Sequence, residues 1–261
     1  MRRRIPIERR WLGAHLGLVY LFLYGPIAVL VLLSFNRAGL PTAWTGFSTE
    51  WYGKLLTNEA IISSAVNTLI VALASTLIAT TIGTLLAVGL ERLRPSAVLD
   101  GLVFVPMIIP DIVLAIALLS FYTLINLTLG LHSIILSHTV FNIAFVCAVV
   151  RARLKNFDST IVEASIDLGA GEVKTFFRIV LPVIFPGVLA GALLAFTLSV
   201  DEFIIAYFTA GPGSASTTFP MQIYAMIRFG VTPEINAVAT IVIGLSFFLV
   251  LLSQRLQRGQ E

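Results

Sequence analysis

The sequence predicts an all-α protein that is embedded in a membrane and crosses it six times. Hydrophobic residues make up 57% of the chain and charged residues only 12%, whereas a soluble domain carries roughly 25% charged residues. The apolar residues form continuous runs of about 20, the length that a helix needs to cross the hydrocarbon. These runs lack the alternation that is typical of barrel strands. We therefore expect one transmembrane domain that spans residues 1–261.

Six apolar runs are assigned as spanning helices, in chain order Trp11–Leu33, Ile61–Leu90, Gly101–Thr128, Ser133–Val150, Val183–Phe203 and Ile235–Ser253. The first run is longer than the about 7–15 residues of a signal-peptide core, so we interpret it as a retained span. The second is long enough to tilt in the bilayer or to extend beyond it. The third contains Pro106 and Pro110, which disturb helical hydrogen bonding.

The distribution of lysine and arginine predicts that both chain ends face the cytoplasm, because cytoplasmic loops are enriched in these residues. With a cytoplasmic N-terminus, all but three of the 17 basic residues lie on the inner side. The three outer residues are Arg37, Lys54 and Arg228. The inner residues are Arg2, Arg3, Arg4, Arg9, Arg10, Arg92, Arg94, Arg151, Arg153, Lys155, Lys174, Arg178, Arg255 and Arg258.

A charged, amphipathic stretch at about residues 156–182 separates the fourth and fifth spans, and we call it the cytoplasmic segment. A first short helix is expected to begin near its start, where Thr160 followed by Glu163 fits a capping box. The possible caps are Asp158, Ser159 and Thr160. Gly169 is expected to end this helix.

A second short helix is expected from Glu172 to about Val180. Its apolar stripe at helical spacing comprises Val173, Phe176, Phe177 and Val180. The corresponding face of the first helix comprises Ile161, Ser165 and Leu168. Helices of about ten residues are marginal on their own, so these faces require a partner. One interpretation is a loop that lies on the membrane surface, and the other is a surface that docks onto another subunit.

The cytoplasmic segment also contains a spaced motif: E-A-S, three residues, G, nine residues, I, one residue and L-P. It resembles the cytoplasmic motif of the membrane subunits of bacterial ABC importers, with Ser165 in place of the second alanine. The resemblance implies the type I ABC importer permease fold, in which this segment docks onto a separate ATPase. The implied ATPase-coupling residues are Glu163, Ala164, Gly169, Ile179, Leu181 and Pro182.

The same resemblance implies a set of partners in the bacterial inner membrane. These are a second permease subunit, two ATPase subunits and an extracytoplasmic polyamine-binding protein. Residues 169–175 lack the spacing of a phosphate loop, so we expect ATP and Mg²⁺ to bind the partner ATPase and no cofactor to bind this chain. The chain itself is not expected to be an enzyme. Its three histidines are scattered, which predicts no metal site.

Further stretches resemble the second permease subunit of spermidine/putrescine importers, which implies a polyamine as the transported solute. The similar stretches are residues 44–52, 110–113, 199–203, 211–212, 223–226 and 230–236. Related permeases for other small solutes share several of these features. A permease for an iron chelate, an opine or a phosphonate is therefore the nearest alternative. A secondary transporter driven by an ion gradient is a further alternative, although the two halves of the chain show no internal repeat.

Three carboxylates near the predicted spans are candidates for the substrate path. Asp111 lies within the third span, and Asp201 and Glu202 lie near the outer end of the fifth. Ionisable groups in a span usually face a cavity or a partner, and three carboxylates would offset the desolvation of a multivalent amine. The alternative is structural: Asp111 would cap a broken helix, and Asp201 or Glu202 would pair with a neighbouring subunit.

Aromatic and polar side chains complete the set of candidates. Trp44 could stack on an amine chain through a cation–π contact, although aromatic residues at the membrane boundary are common anchors. Tyr224 is a second aromatic candidate, with packing as its alternative role. His138 and Asn142 lie one turn apart on the fourth span and are expected to bond to another helix.

Overall fold

The computed structural model describes residues 7–38, 44–92, 96–155, 157–158, 160–228 and 230–258. Over these residues the chain is helical apart from turns, loops and one isolated antiparallel bridge between Asn36 and Phe47, which confirms the predicted all-α class. Some residues used above lie outside the described ones, namely Ser159, Arg2, Arg3, Arg4 and Arg94.

The α-helices in the described residues are α1 (Ile7–Leu33), α2 (Glu50–Thr57), α3 (Glu59–Arg92), α4 (Ala97–Ile108), α5 (Asp111–Leu124), α6 (Leu131–Leu154), α7 (Thr160–Asp167), α8 (Glu172–Thr175), α9 (Leu181–Asp201), α10 (Ile204–Thr209), α11 (Phe219–Ile227) and α12 (Pro233–Arg258). A π-helix, Phe176–Val180, joins α8 to α9, and a 3₁₀ turn lies at Ser214–Ser216.

Four of these helical stretches are long and apolar enough to cross a membrane: Trp11–Leu33, Glu59–Arg92, Leu131–Leu154 and Glu172–Asp201. The α4–α5 pair adds a fifth if it counts as one span. The apolar part of α12, Pro233–Phe248, is shorter than these. The predicted count of six spans therefore stays a prediction, whereas the spanning positions of the first, second, fourth and fifth runs agree with the structure.

The apolar run Gly101–Thr128, predicted as the third span, is divided between two helices, which agrees with the disturbance expected from its prolines. Val98–Ile108 and Asp111–Leu124 are bent by 104° at a break next to Pro110. Ile109, directly before the proline, has an extended conformation with φ −67° and ψ 134°. A proline ring disfavours the helical conformation of the residue before it and removes one backbone donor, which explains a break at this position.

The helix predicted at Glu172–Val180 is not separate from the fifth span. It continues through the π-helix into α9, and the N–H of Leu181 bonds to the carbonyl of Phe176, five residues back. Pro182 follows directly and cannot donate to the helical ladder. The widened turn therefore carries the helix across this point without a break.

The stretch between the fifth and sixth predicted spans also contains helices, α10 and α11. The fifth span ends at Asp201, two residues before the predicted end at Phe203. Glu202 has an extended conformation and its carboxylate accepts the N–H groups that begin α10. The chain therefore starts a new helix instead of an irregular loop.

The chain divides into two compact units, Met1–Ile62 with Ile223–Glu261 and Ser63–Gln222. In the first unit α12 packs on α1 and on α2. The loop after α1 is held to α2 by two hydrogen bonds, from Trp51 Nε1 to the Asn36 carbonyl at 2.8 Å and between Ser34 and Tyr52 at 2.6 Å. The Phe35 ring stacks on Phe47 at a centroid distance of 5.2 Å.

In the second unit α6 is the central helix and packs against α4, α9 and α10. Its contact with α9 is close because α9 presents small residues four apart, Gly187, Gly191 and Ala195. A Cβ atom on Gly187 would lie 2.8 Å from Cβ of Arg153, and one on Gly191 would lie 3.4 Å from Cγ1 of Val146. Small residues at this spacing allow membrane helices to approach closely.

Candidate functional site

The first helix of the cytoplasmic segment is α7. A turn at Asp158 precedes this helix, and Thr160 is not its cap. Oδ1 of Asp158 accepts hydrogen bonds from the backbone N–H and the hydroxyl of Thr160, at 3.0 and 2.8 Å. These bonds hold the pKa of the exposed Asp158 carboxyl below its ordinary value. Thr160 is the first residue of the helix, so the predicted capping box with Thr160 as cap is replaced by the Asp158 turn.

The end of α7 at Gly169 is confirmed. Gly169 has φ +79°, a conformation that glycine adopts without steric cost. Its N–H bonds to the carbonyl of Ile166 at 2.8 Å, and the N–H of Ala170 bonds to the carbonyl of Ser165 at 3.1 Å. This pair of bonds is the Schellman motif. The direction in which the chain leaves α7 is thus set by one glycine.

A buried hydrogen bond holds α7 against the helix that follows. Ser165 Oγ lies 2.9 Å from Thr175 Oγ1, and both residues are buried. Ser165 is the residue that departs from the alanine of the family motif, and its hydroxyl supplies a contact that alanine lacks. Sequence reasoning missed Thr175, although a polar residue ten positions after the serine was the available signal.

Apolar side chains project from the cytoplasmic segment without being covered by the chain itself. Leu168 is 89% exposed, Val173 72% and Phe177 61%. Val180, by contrast, is buried in a core cluster with Val146, Val150 and Ile184, and Phe176 packs against that cluster. Part of the predicted stripe, Phe176 and Val180, therefore packs into the protein core, and the rest forms an exposed apolar surface. Exposed apolar surfaces of this kind mark interaction sites.

The predicted coupling residues differ in exposure. Glu163, Ala164 and Gly169 are exposed on or next to α7, as is Pro182 near the start of α9. Ile179 and Leu181 are partly buried. The acidic and small residues of the motif therefore face outward, and its aliphatic residues lie where the π-helix meets α9.

Ion pairs join the ends of the helices next to this segment. Arg151 on α6 donates from Nε to Glu91 Oε1 at 2.9 Å and from Nη1 to Asp100 Oδ1 at 2.7 Å. Arg92 Nη1 lies 3.2 Å from Glu172 Oε2. These pairs join α3, α4, α6 and α8. Sequence reasoning counted the arginines only as signals of orientation and missed their partners, which are distant in the chain.

The predicted substrate-path carboxylates of the second unit lie at helix ends. Asp111 is the first residue of α5 and Asp201 the last of α9, and both are exposed. The side chain of Glu202 is only 7% exposed. The structure brings Asp111 and Glu202 close enough for their charges to interact.

Glu202 accepts two backbone hydrogen bonds and lies near a histidine. Its Oε1 accepts the N–H of Ile205 and its Oε2 accepts the N–H of Ala206, both at 2.9 Å. Its Oε2 also lies 3.5 Å from Nε2 of the buried His138, whose Nδ1 is 2.7 Å from Ser199 Oγ. The prediction that His138 bonds to another helix is confirmed. Asn142 differs, because its amide has no partner among the described residues.

The two aromatic candidates belong to the first unit. Trp44 is 54% exposed in the loop before α2, and Tyr224 is 49% exposed on α11. Both side chains are therefore about half exposed.

Comparison with known proteins identifies the family. A family model described as "Binding-protein-dependent transport system inner membrane component" matches residues 79–260. The chain is 41% identical over 256 residues to the spermidine/putrescine transport system permease protein PotC of Escherichia coli K12, across 97% of this chain and 96% of that protein. It is 40% identical over 250 residues to the putrescine transport system permease protein PotI of the same organism, across 92% and 88%.

Solved structures agree on the fold. A chain of a bacterial ABC transporter that imports the acidic polysaccharide alginate matches with TM-score 0.75 and 18% identity, across 97% of this chain and 96% of that chain. A chain of the MetNI methionine ABC transporter matches with TM-score 0.60 and 19% identity, across 82% and 99%. These are type I ABC importer permeases, and the likeness shows the fold alone. The chain belongs to the family of binding-protein-dependent transport system inner membrane components.

Proposed function

We propose that this chain is one permease subunit of an ATP-driven importer of polyamines and forms part of the translocation pathway. The observation that carries the proposal is the identity of 40–41%, over nearly the whole chain, to two permeases named for putrescine or for spermidine and putrescine. Fold alone would not specify the solute, because transporters of an acidic polysaccharide and of methionine share it.

The proposed assembly is a heterodimer of two permeases in the bacterial inner membrane, with two ATPase subunits on the cytoplasmic side. The ATPases bind ATP and Mg²⁺, and an extracytoplasmic binding protein delivers the polyamine. Both ends of this chain face the cytoplasm in this arrangement, as the distribution of basic residues predicts. Residues 1–261 act together as one permease domain.

We assign ATPase coupling to the cytoplasmic segment. The uncovered side chains of Leu168, Val173 and Phe177 support a protein partner, because an apolar surface of this kind gains stability when another subunit covers it. Glu163, Ala164 and Gly169 lie at the exposed surface of α7, whereas Ile179, Leu181 and Pro182 connect the segment to α9. Closure of the ATPases moves α7, and the continuous helix from Glu172 to Asp201 transmits the movement.

We assign the substrate path to carboxylates at the outer helix ends. Asp111 and Asp201 are exposed and each offers a carboxylate to an ammonium group. Glu202 is buried, and it adds negative potential near Asp111 while it caps α10. Trp44 and Tyr224 present exposed rings to a methylene chain, to an ammonium group or to the binding protein.

The test is uptake by proteoliposomes that contain this subunit with the permease, ATPase and binding protein encoded beside it. Labelled putrescine and spermidine are compared with a phosphonate and an iron chelate, with ATP enclosed or omitted. ATP-dependent accumulation of a polyamine supports the proposal. Accumulation of another solute alone overturns the polyamine assignment, and accumulation that does not require ATP overturns the importer mechanism.

A further inference from the structure

One imidazole of the second unit contacts both sides of the break between α9 and α10. Nδ1 of His138, on α6, lies 2.7 Å from Oγ of Ser199 in the last turn of α9. Nε2 of the same ring lies 3.5 Å from Oε2 of Glu202, the first residue after α9. A single side chain of α6 therefore contacts the two residues that lie before and after Asp201.

The donors and acceptors at this break follow a defined order. An ionised carboxylate only accepts hydrogen bonds, so in a neutral imidazole the ring nitrogen that faces Glu202 carries the proton. Nδ1 of His138 is then an acceptor, and the Ser199 hydroxyl donates to it. Ser75 Oγ on α3 is 3.1 Å from Ser199 Oγ and donates to the serine in turn. The hydrogen bonds thus hold the end of α9 to two neighbouring helices.

Asp201 is exposed, whereas the residues that contact His138 are not. Ser199 is buried, and the side chain of Glu202 is nearly so. These two residues are three positions apart, the spacing that places side chains on one face of a helix. Asp201 lies two positions after Ser199, which is about 200° around the helix, and it therefore projects away from α6, in agreement with its exposure. Contacts that hold the inner face consequently set the direction of the Asp201 carboxylate.

The backbone contacts of Glu202 do not tie it to α6. Its carboxylate accepts the N–H groups of Ile205 and Ala206, which both belong to α10. These bonds start the next helix, and they remain possible when the side chain at position 138 is changed. His138 adds the contact to a different helix, so its loss should release the break from α6 without removing the cap of α10.

We propose that His138 is a positioning residue for Asp201. By contacting Ser199 and Glu202 it holds the end of α9 against α6, so that the Asp201 carboxylate stays directed at the path of the transported amine. His138 is itself buried and acts through its two neighbours, not by touching the solute. The inference rests on the proposed function, in which Asp201 lies on the substrate path.

The test uses the complete transporter with three substitutions at position 138. His138→Leu removes both ring nitrogens from a side chain of similar size. The amide of asparagine occupies about the place of Nδ1 and that of glutamine the place of Nε2, so His138→Asn keeps a partner for Ser199 and His138→Gln one for Glu202. The matched control is Thr139→Val, because the buried Thr139 hydroxyl bonds to the Ile135 carbonyl of its own helix at 2.7 Å.

Uptake of spermidine and putrescine is the first readout. We expect His138→Leu to reduce spermidine uptake by about tenfold, as for a lost contact between charged groups, and to reduce putrescine uptake less. His138→Asn and His138→Gln should lie between that variant and the wild type. In an Asp201→Asn background His138→Leu should cause no further loss, because the carboxylate that it positions is already absent. Independent losses in the double variant, equal losses for both polyamines, or wild-type uptake in all three variants would each overturn the proposal.

Chemical access to position 201 is the second readout, and it does not depend on the solute. Asp201→Cys is combined with Cys147→Ala, which removes the single native cysteine, and the rate of modification by a cationic methanethiosulfonate is measured. We expect substitutions of His138 to lower this rate by about threefold, because a thiol held in one direction becomes spread over several, and Thr139→Val to leave it unchanged.

The two readouts separate the possible failures. Equal modification rates with and without His138 would overturn the positioning role, whatever the transporter imports. Wild-type transporter that imports no polyamine would instead overturn the proposed function, and the modification rates would still decide whether His138 directs the side chain at position 201. If His138→Leu does not assemble, His138→Asn and His138→Gln carry both comparisons, since each keeps a polar group in the buried site.

Discussion

Gly211 and Leu129 touch through their backbones. A Cβ atom added to Gly211 would overlap the Leu129 carbonyl oxygen and would lie 2.8 Å from its carbonyl carbon. A hydrogen bond from Ser133 Oγ to the Thr209 carbonyl, at 2.7 Å, ties the same two regions together. The turn before α6 and the chain that leaves α10 are therefore in direct contact, and a residue without a side chain is required between them.

Gly211→Ala is expected to destabilise the second unit, because backbone atoms and not a flexible side chain must move to accommodate the methyl group. Overpacking of this kind costs about 1–3 kcal/mol. The measurement is the thermal unfolding midpoint of the purified protein in detergent. Gly101→Ala is the control, since a Cβ there has no neighbour within 4 Å and alanine favours the interior of α4. Equal midpoints for both variants would show that the contact is not constrained.

Features that depend on neighbouring residues in the chain were predictable from the sequence. The helical class follows from long apolar runs, and the end of α7 follows from Gly169. The proline at position 110 indicated a disturbed third span, but the bend of 104° depends on how α4 and α5 pack.

Pairings between distant residues were not predictable. Arg151 bonds to Glu91 and Asp100, which are 60 and 51 positions away in the chain, and no local pattern specifies such partners. Glu202 was a candidate substrate ligand because it is a carboxylate near the end of a span. In the structure its carboxylate accepts hydrogen bonds from backbone N–H groups. Asn142 shows the limit most clearly, since its position on α6 was apparent but only the packed helices show that its amide has no partner among the described residues.

Replacement of Gly169 is expected to uncouple transport without preventing membrane insertion. A β-carbon at φ +79° costs roughly 1–2 kcal/mol, which the chain relieves by redirecting the end of α7. We expect Gly169→Val to abolish uptake, Gly169→Ala to reduce it, and Gly169→Asn to be mildest because asparagine tolerates this conformation. Uptake and the amount of ATPase that copurifies are both measured.

Gly171→Ala is the matched control for that series. Gly171 lies two residues later, has φ −69°, and its Cβ would have no neighbour within 4 Å. Any residue adopts this conformation, so uptake should stay near the wild-type level. Normal uptake by Gly169→Val would refute the assignment of coupling to the cytoplasmic segment.

The hydrogen bond between Ser165 and Thr175 predicts a non-additive pair of variants. Ser165→Ala restores the alanine of the family motif but leaves the buried Thr175 hydroxyl without this partner, at a cost of about 1–3 kcal/mol. Thr175→Val in the same chain removes that hydroxyl and should recover much of the loss. The thermal midpoint and the amount of copurified ATPase are measured for the wild type, the two single variants and the double variant. Strictly additive effects would show that the two hydroxyls contribute independently.

Substitutions of the adjacent residues Asp201 and Glu202 are expected to have different effects on stability and on uptake. Asp201 is exposed, so Asp201→Asn should leave the thermal midpoint unchanged and reduce polyamine uptake by about tenfold, as expected for a lost contact between charged groups. Glu202 is buried and accepts two N–H groups while it faces His138. Glu202→Gln should therefore lower the midpoint of the second unit, with reduced uptake as a consequence.

Substrate dependence separates these two outcomes. If Asp201 contacts the cation, Asp201→Asn should impair uptake of the trivalent spermidine more than uptake of the divalent putrescine, because the former loses more from a missing carboxylate along the path. If Glu202→Gln acts by destabilising the fold, it should reduce the uptake of both solutes by the same factor, in proportion to the folded protein that remains. If Asp201→Asn reduces the uptake of both polyamines equally, or lowers the thermal midpoint, Asp201 is not part of the substrate path. It would then have a structural role, like Glu202.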